Sequence, residues 1–308
     1  MSDLEQRWRG PAFVSAAHAW IRDQLDDDVS GPVLSIEQTH VTDWSTVMRV
    51  TTRHTVLWFK ANDESMRHEA AVTAFLAPRS DGRVARPKAF DPGTGWMLMV
   101  DMTPRLREVI VEERSLDRWH DALEAYARIQ LACEGEVDAL LALGLPDRRL
   151  TTLPGAYADL LAELGDVDPR LPDASAVGDL CDRLAAHGIR ETIQHDDLHD
   201  GQVFVPSGHA HVLDWGDACV SHPFLTLSVT LEGVIAWGVD DVEGSEDLEP
   251  HLAAYLRPYE EAYGRDDLRG AAAIAMRLGW VCRAVNGHLP QDPDGTRTRL
   301  RMFLDGRP

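Results

Sequence analysis

Residues 11–26 place Phe13, Ala16, Ala17, Trp20, Ile21 and Leu25 at three- and four-residue spacings behind Pro11, which predicts an amphipathic helix running into Asp26, Asp27 and Asp28. Gly31 and Pro32 break that period, and short strand-like runs follow at 33–37, 46–52, 55–61 and 96–100. Only Arg53 and His54 separate the middle two, the spacing of a tight hairpin. Between the third and fourth runs, Met66, Ala70, Thr73, Ala74 and Ala77 keep a helical period until Pro78 stops it. The pattern predicts a small antiparallel sheet that carries one helix.

From Thr103 onward the period is that of helices. Ser115 can cap one that has Trp119, Leu123, Tyr126, Ile129, Gln130 and Cys133 on or near one face. Residues 150–164 and 176–187 predict two more, the second closing at Gly188. A polar loop at 194–202 then leads into the alternating run Val203, Phe204, Val205, the turn Pro206-Ser207-Gly208 and a second run at 210–213. Helical patterns return at 224–237, 250–263, 268–288 and 298–304. There is no internal repeat and no Gly/Ser-rich linker. The expected architecture is therefore α+β and bilobal, with an N-lobe over 1–101, a mainly helical C-lobe over 102–308, and a short hinge near Met99 to Asp101.

Composition narrows the partners. The 51 acidic residues against 30 basic ones give a formal net charge of -21, which disfavours nucleic acid and anionic membranes, and no basic patch stands out beyond the C-terminal arginines. Cys133, Cys181, Cys219 and Cys282 are scattered without a Cys-x-x-Cys pair, so neither a disulfide scaffold nor a zinc site is expected. The N-terminus has no basic region followed by an apolar run, and no stretch approaches the length of a membrane span. A cytoplasmic, soluble protein is the expectation; oligomeric state is left open.

The chemistry concentrates in His195-Asp196-Asp197-Leu198-His199-Asp200-Gly201-Gln202 and in Asp214-Trp215-Gly216-Asp217. Asp197 and Gln202 lie in the polar loop, and the hairpin after it returns the chain to Asp214. Upstream, Lys60 ends an apolar strand in which Val56, Trp58 and Lys60 share a face, and Glu69 follows on the next helix. Singly, each is an ordinary turn, helix or strand-end residue. Jointly they supply what phosphoryl transfer asks for: a carboxylate beside the attacking hydroxyl, oxygen ligands for Mg²⁺ and a cation for nucleotide phosphates.

These motifs resemble those of the aminoglycoside phosphotransferases, a family of protein kinase-like enzymes with a His-Gly-Asp-x-x-x-x-Asn loop and a later metal-binding aspartate. The resemblance runs from about Val33 through the C-terminal helices. It implies that Asp197 accepts or orients the proton of the substrate hydroxyl, that Gln202 and Asp214 bind Mg²⁺, and that Lys60, held by Glu69, contacts the phosphates of ATP or GTP. Ser45, Thr46, Met99 and Val100 fall at nucleotide-binding positions, His195 at a loop-supporting one, and His199 and Asp217 near the acceptor. The implied acceptor is a small polar alcohol such as an aminoglycoside, amino sugar or choline-like compound; an acidic rim of Asp240, Asp241, Glu243, Glu246, Asp247 and Glu249 would attract a cationic one, although a solvated acidic loop explains those residues more simply. Departures from the pattern are Asp196 for Gly, Gln202 for Asn, the absence of G-x-G-x-x-G between the first two strands, and Trp58 two residues before the lysine.

Two other readings compete. A catalytically weak nucleotide-binding pseudokinase accounts for Gln202, Trp58 and the missing glycines. A metal hydrolase built on His195, Asp196, Asp197 and His199 suits a transition metal but leaves Lys60 and Glu69 without a role.

Overall fold

The computed structural model describes residues 2–25, 30–233, 247–264 and 267–306. The chain divides into two compact units, one of residues 1–103 with Asp214–Gly216, the other of 104–213 with 217–308.

The first unit is built on an antiparallel sheet of five strands, β1 (Val33–Val41), β2 (Ser45–Thr52), β3 (Val56–Asn62), β4 (Ala89–Asp91) and β5 (Trp96–Val100), in the order β1-β2-β3-β5-β4. The β2–β3 hairpin forms about Arg53 and His54, pairing Thr51 with Val56 and Val50 with Leu57. One face buries Met48, Val50, Leu57, Phe59, Ala61 and Leu98 against Trp8, Ala17 and Ile21 of the helices Asp3–Arg9 and Pro11–Asp23. Trp20, Phe59 and Trp96 pack ring to ring there, with centroids 5.5 to 5.9 Å apart. Alternation sends Trp58 and Lys60 to the opposite face, where Met97 and Met99 pack with Ala70 of the helix Glu69–Leu76.

The expected sheet and its helix are present, with two additions. Helix Asp3–Arg9 starts at a capping box in which Ser2 Oγ accepts from Glu5 N–H and Glu5 accepts from the Ser2 N–H, both at 3.1 Å. Strand β4 is too short to carry a period. Residues 26–28 lie outside the described residues.

The second unit is mostly helical: Leu106–Glu113, Asp117–Ala132, Val137–Ala142, Leu153–Leu164, Ala174–Ala185, Leu248–Tyr263, Leu268–Asn286 and Pro293–Asp305. Trp119, Leu123, Tyr126, Ile129, Gln130 and Cys133 are all buried, as their spacing predicts. Gln130 is the polar hub of this core. Its Nε2 donates to the carbonyls of Ile193 and Pro223 at 3.1 and 3.2 Å, and its Oε1 accepts from Tyr255 Oη at 2.7 Å. Those bonds satisfy a fully buried amide and tie the long helix to strand β6 (Thr192–Gln194), which pairs with β9 (Cys219–Ser221). The predicted hairpin is β7 (Val203–Phe204) with β8 (His211–Val212).

The helix expected at 224–237 is corrected. Pro223–Thr226 is a 3-10 turn and Ser228–Gly233 a π-helical turn, while 234–237 lie outside the described residues. The hydroxyl of Ser228 turns away from an α-helical pattern to donate to Met276 O at 2.6 Å. That contact is possible because Gly279 has no side chain: a Cβ there would sit 1.8 Å from Ser228 Oγ and 2.1 Å from Leu225 O. Gly279→Ala is therefore expected to cost about 3 kcal/mol of stability, read as a lower urea midpoint at unchanged m. No helix among the described residues is long and apolar enough to cross a membrane.

Candidate active site

In the first unit, Lys60, Glu69 and Asp214 converge. Lys60 Nζ lies 2.7 and 2.9 Å from the two Glu69 carboxylate oxygens and also donates to Asp214 Oδ1. Burial alone would lower the lysine, but Asp214 and Glu69 outweigh it and hold the ammonium well above its ordinary range. Glu69 is buried and accepts in addition from Asn62 Nδ2. Asp214 adopts a left-handed backbone, φ 64°, which aspartate tolerates better than most residues. Two residues on, Gly216 passes so close that a Cβ would meet Glu69 Oε2 at 3.2 Å.

The other positions expected at the nucleotide lie in the same unit. Ser45 and Thr46 open β2 and are buried, with the Thr46 hydroxyl donating to His40 O at 2.9 Å and accepting from Gln38 Nε2 at 2.8 Å. Met99 is buried beside Ala70, and Val100 is exposed. Trp58 is turned so that its indole N–H donates to Asp101 Oδ1 at 3.0 Å.

In the second unit, the loop that holds Asp197 is fixed from several sides. The His195 amide donates to Tyr126 Oη at 2.9 Å, and its Nε2 donates to Leu213 O at 2.8 Å. Asp196, also left-handed at φ 65°, is wholly buried; its Oδ1 accepts from Gln194 Nε2 and its Oδ2 from Asn286 Nδ2, each at 3.0 Å. Asp200 is buried and gripped by Arg107, with Nη2 to Oδ1 at 2.8 Å and Nε to both oxygens at 3.2 Å. His199 Nδ1 accepts from the Gly201 amide at 3.0 Å. Gln202 makes its backbone bonds to His199 O and from Leu213 N–H at 2.9 and 3.0 Å, so the loop and hairpin close on each other.

Asp197 itself pairs with Arg283, Oδ1 to Nη2 at 2.9 Å. Arg283 comes from helix Leu268–Asn286 and also reaches Asp217 Oδ1 at 2.7 Å and Asp196 Oδ2 at 3.4 Å. Burial raises the Asp197 carboxyl to about 6; Asp217 and Asp196 add to the shift, and Arg283 and His199 oppose it. A carboxylate tuned this way can take a proton near neutral pH.

Arg283, Asn286, Arg107 and Asn62 were not expected from the sequence. None carries a local signal, because each matters through a partner distant along the chain or, for Asn62, through the strand face it happens to occupy. The metal-hydrolase cluster is not formed: the only grouping of such donors among the described residues is Asp196 with Cys219 and Cys282, all buried, and His195 and His199 are not in it. There Cys219 Sγ donates to Gln194 Oε1 at 2.8 Å. Of the acidic run, Asp247 caps helix Leu248–Tyr263 and Glu249 pairs with Arg269, while Asp240, Asp241, Glu243 and Glu246 lie outside the described residues.

Solved structures share the fold at low identity. The ethanolamine kinase of Plasmodium vivax is 13% identical over 96% of this chain and 89% of that one, with a TM-score of 0.61. The choline kinase of Streptococcus pneumoniae is 15% identical over 94% and 98%, TM-score 0.60. The macrolide 2'-phosphotransferase of Brachybacterium faecium is 19% identical over 96% and 99%, TM-score 0.56. No curated protein matches the chain in sequence. The model of the phosphotransferase enzyme family APH matches residues 38–274, and with its kinase-like α+β fold the chain belongs to that family.

Proposed function

We propose that the protein transfers the γ-phosphoryl group of a nucleoside triphosphate, ATP in the first instance, to a hydroxyl of a small molecule, with Mg²⁺ as cofactor. The observation that carries this reading is the convergence of Lys60 and Glu69, nine residues apart, with Asp214, which lies 154 residues from Lys60. A buried Glu69 that does nothing but hold an ammonium and an amide makes sense if the ammonium is aimed at phosphate oxygens.

Asp197 would accept the proton of the acceptor hydroxyl as its oxygen forms the new bond to phosphorus. The bond from the γ-phosphorus to the bridging oxygen breaks, and the nucleoside diphosphate leaves with that electron pair. Lys60 would bind nucleotide phosphates, oriented by Glu69. The donors of Gln202 and Asp214 are an amide and a carboxylate oxygen, a set that suits a hard cation. They would hold Mg²⁺, which when bound neutralises phosphate charge. Ser45, Thr46, Met99 and Val100 would line the nucleotide, Ser45 and Thr46 mainly through backbone since the Thr46 hydroxyl is already engaged. His199 and Asp217 would border the acceptor.

The test is nucleoside-diphosphate release with Mg-ATP over aminoglycosides, choline-like alcohols, hydroxy acids and sugar alcohols. At least one alcohol should be turned over, and kcat/KM should fall as pH drops below about 6, where Asp197 becomes protonated and can no longer accept a proton. Turnover that is flat down to pH 4 would remove Asp197 from the role.

A further inference from the structure

Asn62 closes strand β3 two residues beyond Lys60, and alternation puts the two side chains on one face of the sheet. It is buried, and its Nδ2 donates to Met66 O at 3.2 Å and to Glu69 Oε2. A carbonyl and a carboxylate can only accept, so the nitrogen end of the amide is fixed. Its Oδ1 has no protein partner among the described residues. A buried acceptor left bare costs stability, so packing alone does not account for an amide here. What the amide supplies is the N–H aimed at Glu69.

Among the described residues, Lys60 and Asn62 are the only side chains bonded to the Glu69 carboxylate. Lys60 Nζ sits between its two oxygens at 2.7 and 2.9 Å but also donates to Asp214 Oδ1, so two carboxylates compete for one ammonium. The terminal torsion of a glutamate is soft, and the bond from Asn62 stops the carboxylate from turning about it. With Glu69 free to turn, Lys60 would settle on Asp214. The ammonium would then leave its place for phosphate and cover the carboxylate that is to hold Mg²⁺. The same amide ties in the turn Glu64–Met66 that leads into helix Glu69–Leu76. Gly216 lies over both, since a Cβ there would meet Glu69 Oε2 at 3.2 Å and Met66 Sδ at 3.4 Å.

We propose that Asn62 is a positioning residue for nucleotide binding: by holding Glu69 in place it keeps Lys60 from collapsing onto Asp214. The proposal rests on the phosphotransferase reading above.

The experiment is Mg-ATP binding by isothermal titration to the wild type, Asn62→Leu, Glu69→Ala, the double variant and Lys60→Met. Asn62→Leu keeps the branched shape of the side chain and removes its N–H. Its Kd for Mg-ATP should rise about tenfold, the worth of one hydrogen bond to a charged group. In the Glu69→Ala background the same substitution should change the Kd by less than about twofold, because the group through which Asn62 acts is gone. A role in packing alone would give the same shift in both backgrounds. Should the added methyls of Asn62→Leu prevent folding, Asn62→Ala takes its place in the cycle with the same expected result. The proposal is overturned if the substitution leaves the Kd unchanged, or if it raises the Kd equally with and without Glu69. A wild type that does not bind Mg-ATP overturns it together with the phosphotransferase reading. A Kd raised in Lys60→Met but not in Asn62→Leu overturns it alone and leaves that reading standing.

Discussion

Asp197→Asn is expected to lower kcat by about a thousandfold, the usual worth of a positioned general base, while the protein remains folded. The substitution keeps the shape of the side chain and an oxygen for Arg283, so the loop has no reason to move. What disappears is the basicity that burial raises to about 6. Single-turnover phosphoryl transfer separates this from a binding defect, since the KM for nucleotide should shift little. Wild-type turnover in the variant would sink the assignment. Asp196 is the natural control. It is fully buried and both its oxygens are bonded, so Asp196→Asn should show itself first as lost stability, because the amide can accept from only one of Gln194 Nε2 and Asn286 Nδ2 and turns its own N–H groups toward the other.

Arg283→Met should be the most destabilising change at this loop. The arginine is buried and its guanidinium lies within 2.7 to 3.4 Å of three carboxylates, so its removal leaves negative charge in a poorly solvated place. Breaking one side of such a buried pair costs about 3–5 kcal/mol. The sign of the pH dependence discriminates this from simple loss of packing. A carboxyl whose folded value is raised binds its proton more tightly in the folded protein, so its contribution falls as pH climbs from the unfolded value near 4 through about 6. Without Arg283 the Asp197 value rises further, and the loss extends to higher pH. Urea melts of wild type and variant should therefore differ more at pH 8 than at pH 5, and the acid limb of residual activity should move to higher pH. A difference that is the same at both pH values would mean that Arg283 acts through its bulk.

The parts of the fold and of the candidate site that could be read from the sequence are those in which spacing does the work. Alternation along 55–61 puts Lys60 on the face away from Leu57 and Phe59, and the structure has it there. The interval from Lys60 to Glu69 predicts that strand and helix bring them together, and they are in contact. The apolar face of Asp117–Ala132 is buried as written. Arg283 was not legible, since on an amphipathic helix it occupies one more polar position, and its partners lie 66 to 87 residues away. Arg107 and Asp200 are 93 apart and fail for the same reason. The turns at 223–233 were misread because the apolar count there suits an α-helix; what overrides it is the tertiary contact of Ser228 with Gly279.

Asp214–Gly216 belongs to the first unit although more than a hundred residues separate it from that unit's last strand. During synthesis the sheet and the Lys60–Glu69 pair can form early, but the second carboxylate that Lys60 grips does not yet exist. At ribosomal speeds it arrives on the order of ten seconds later. Over that interval Lys60 has only Glu69 as its carboxylate partner, and the first unit is assembled without its final three residues. Completion of the lysine site is thus tied to translation through residue 216, so a nascent chain cut short of that point carries the sheet but not the finished charge cluster.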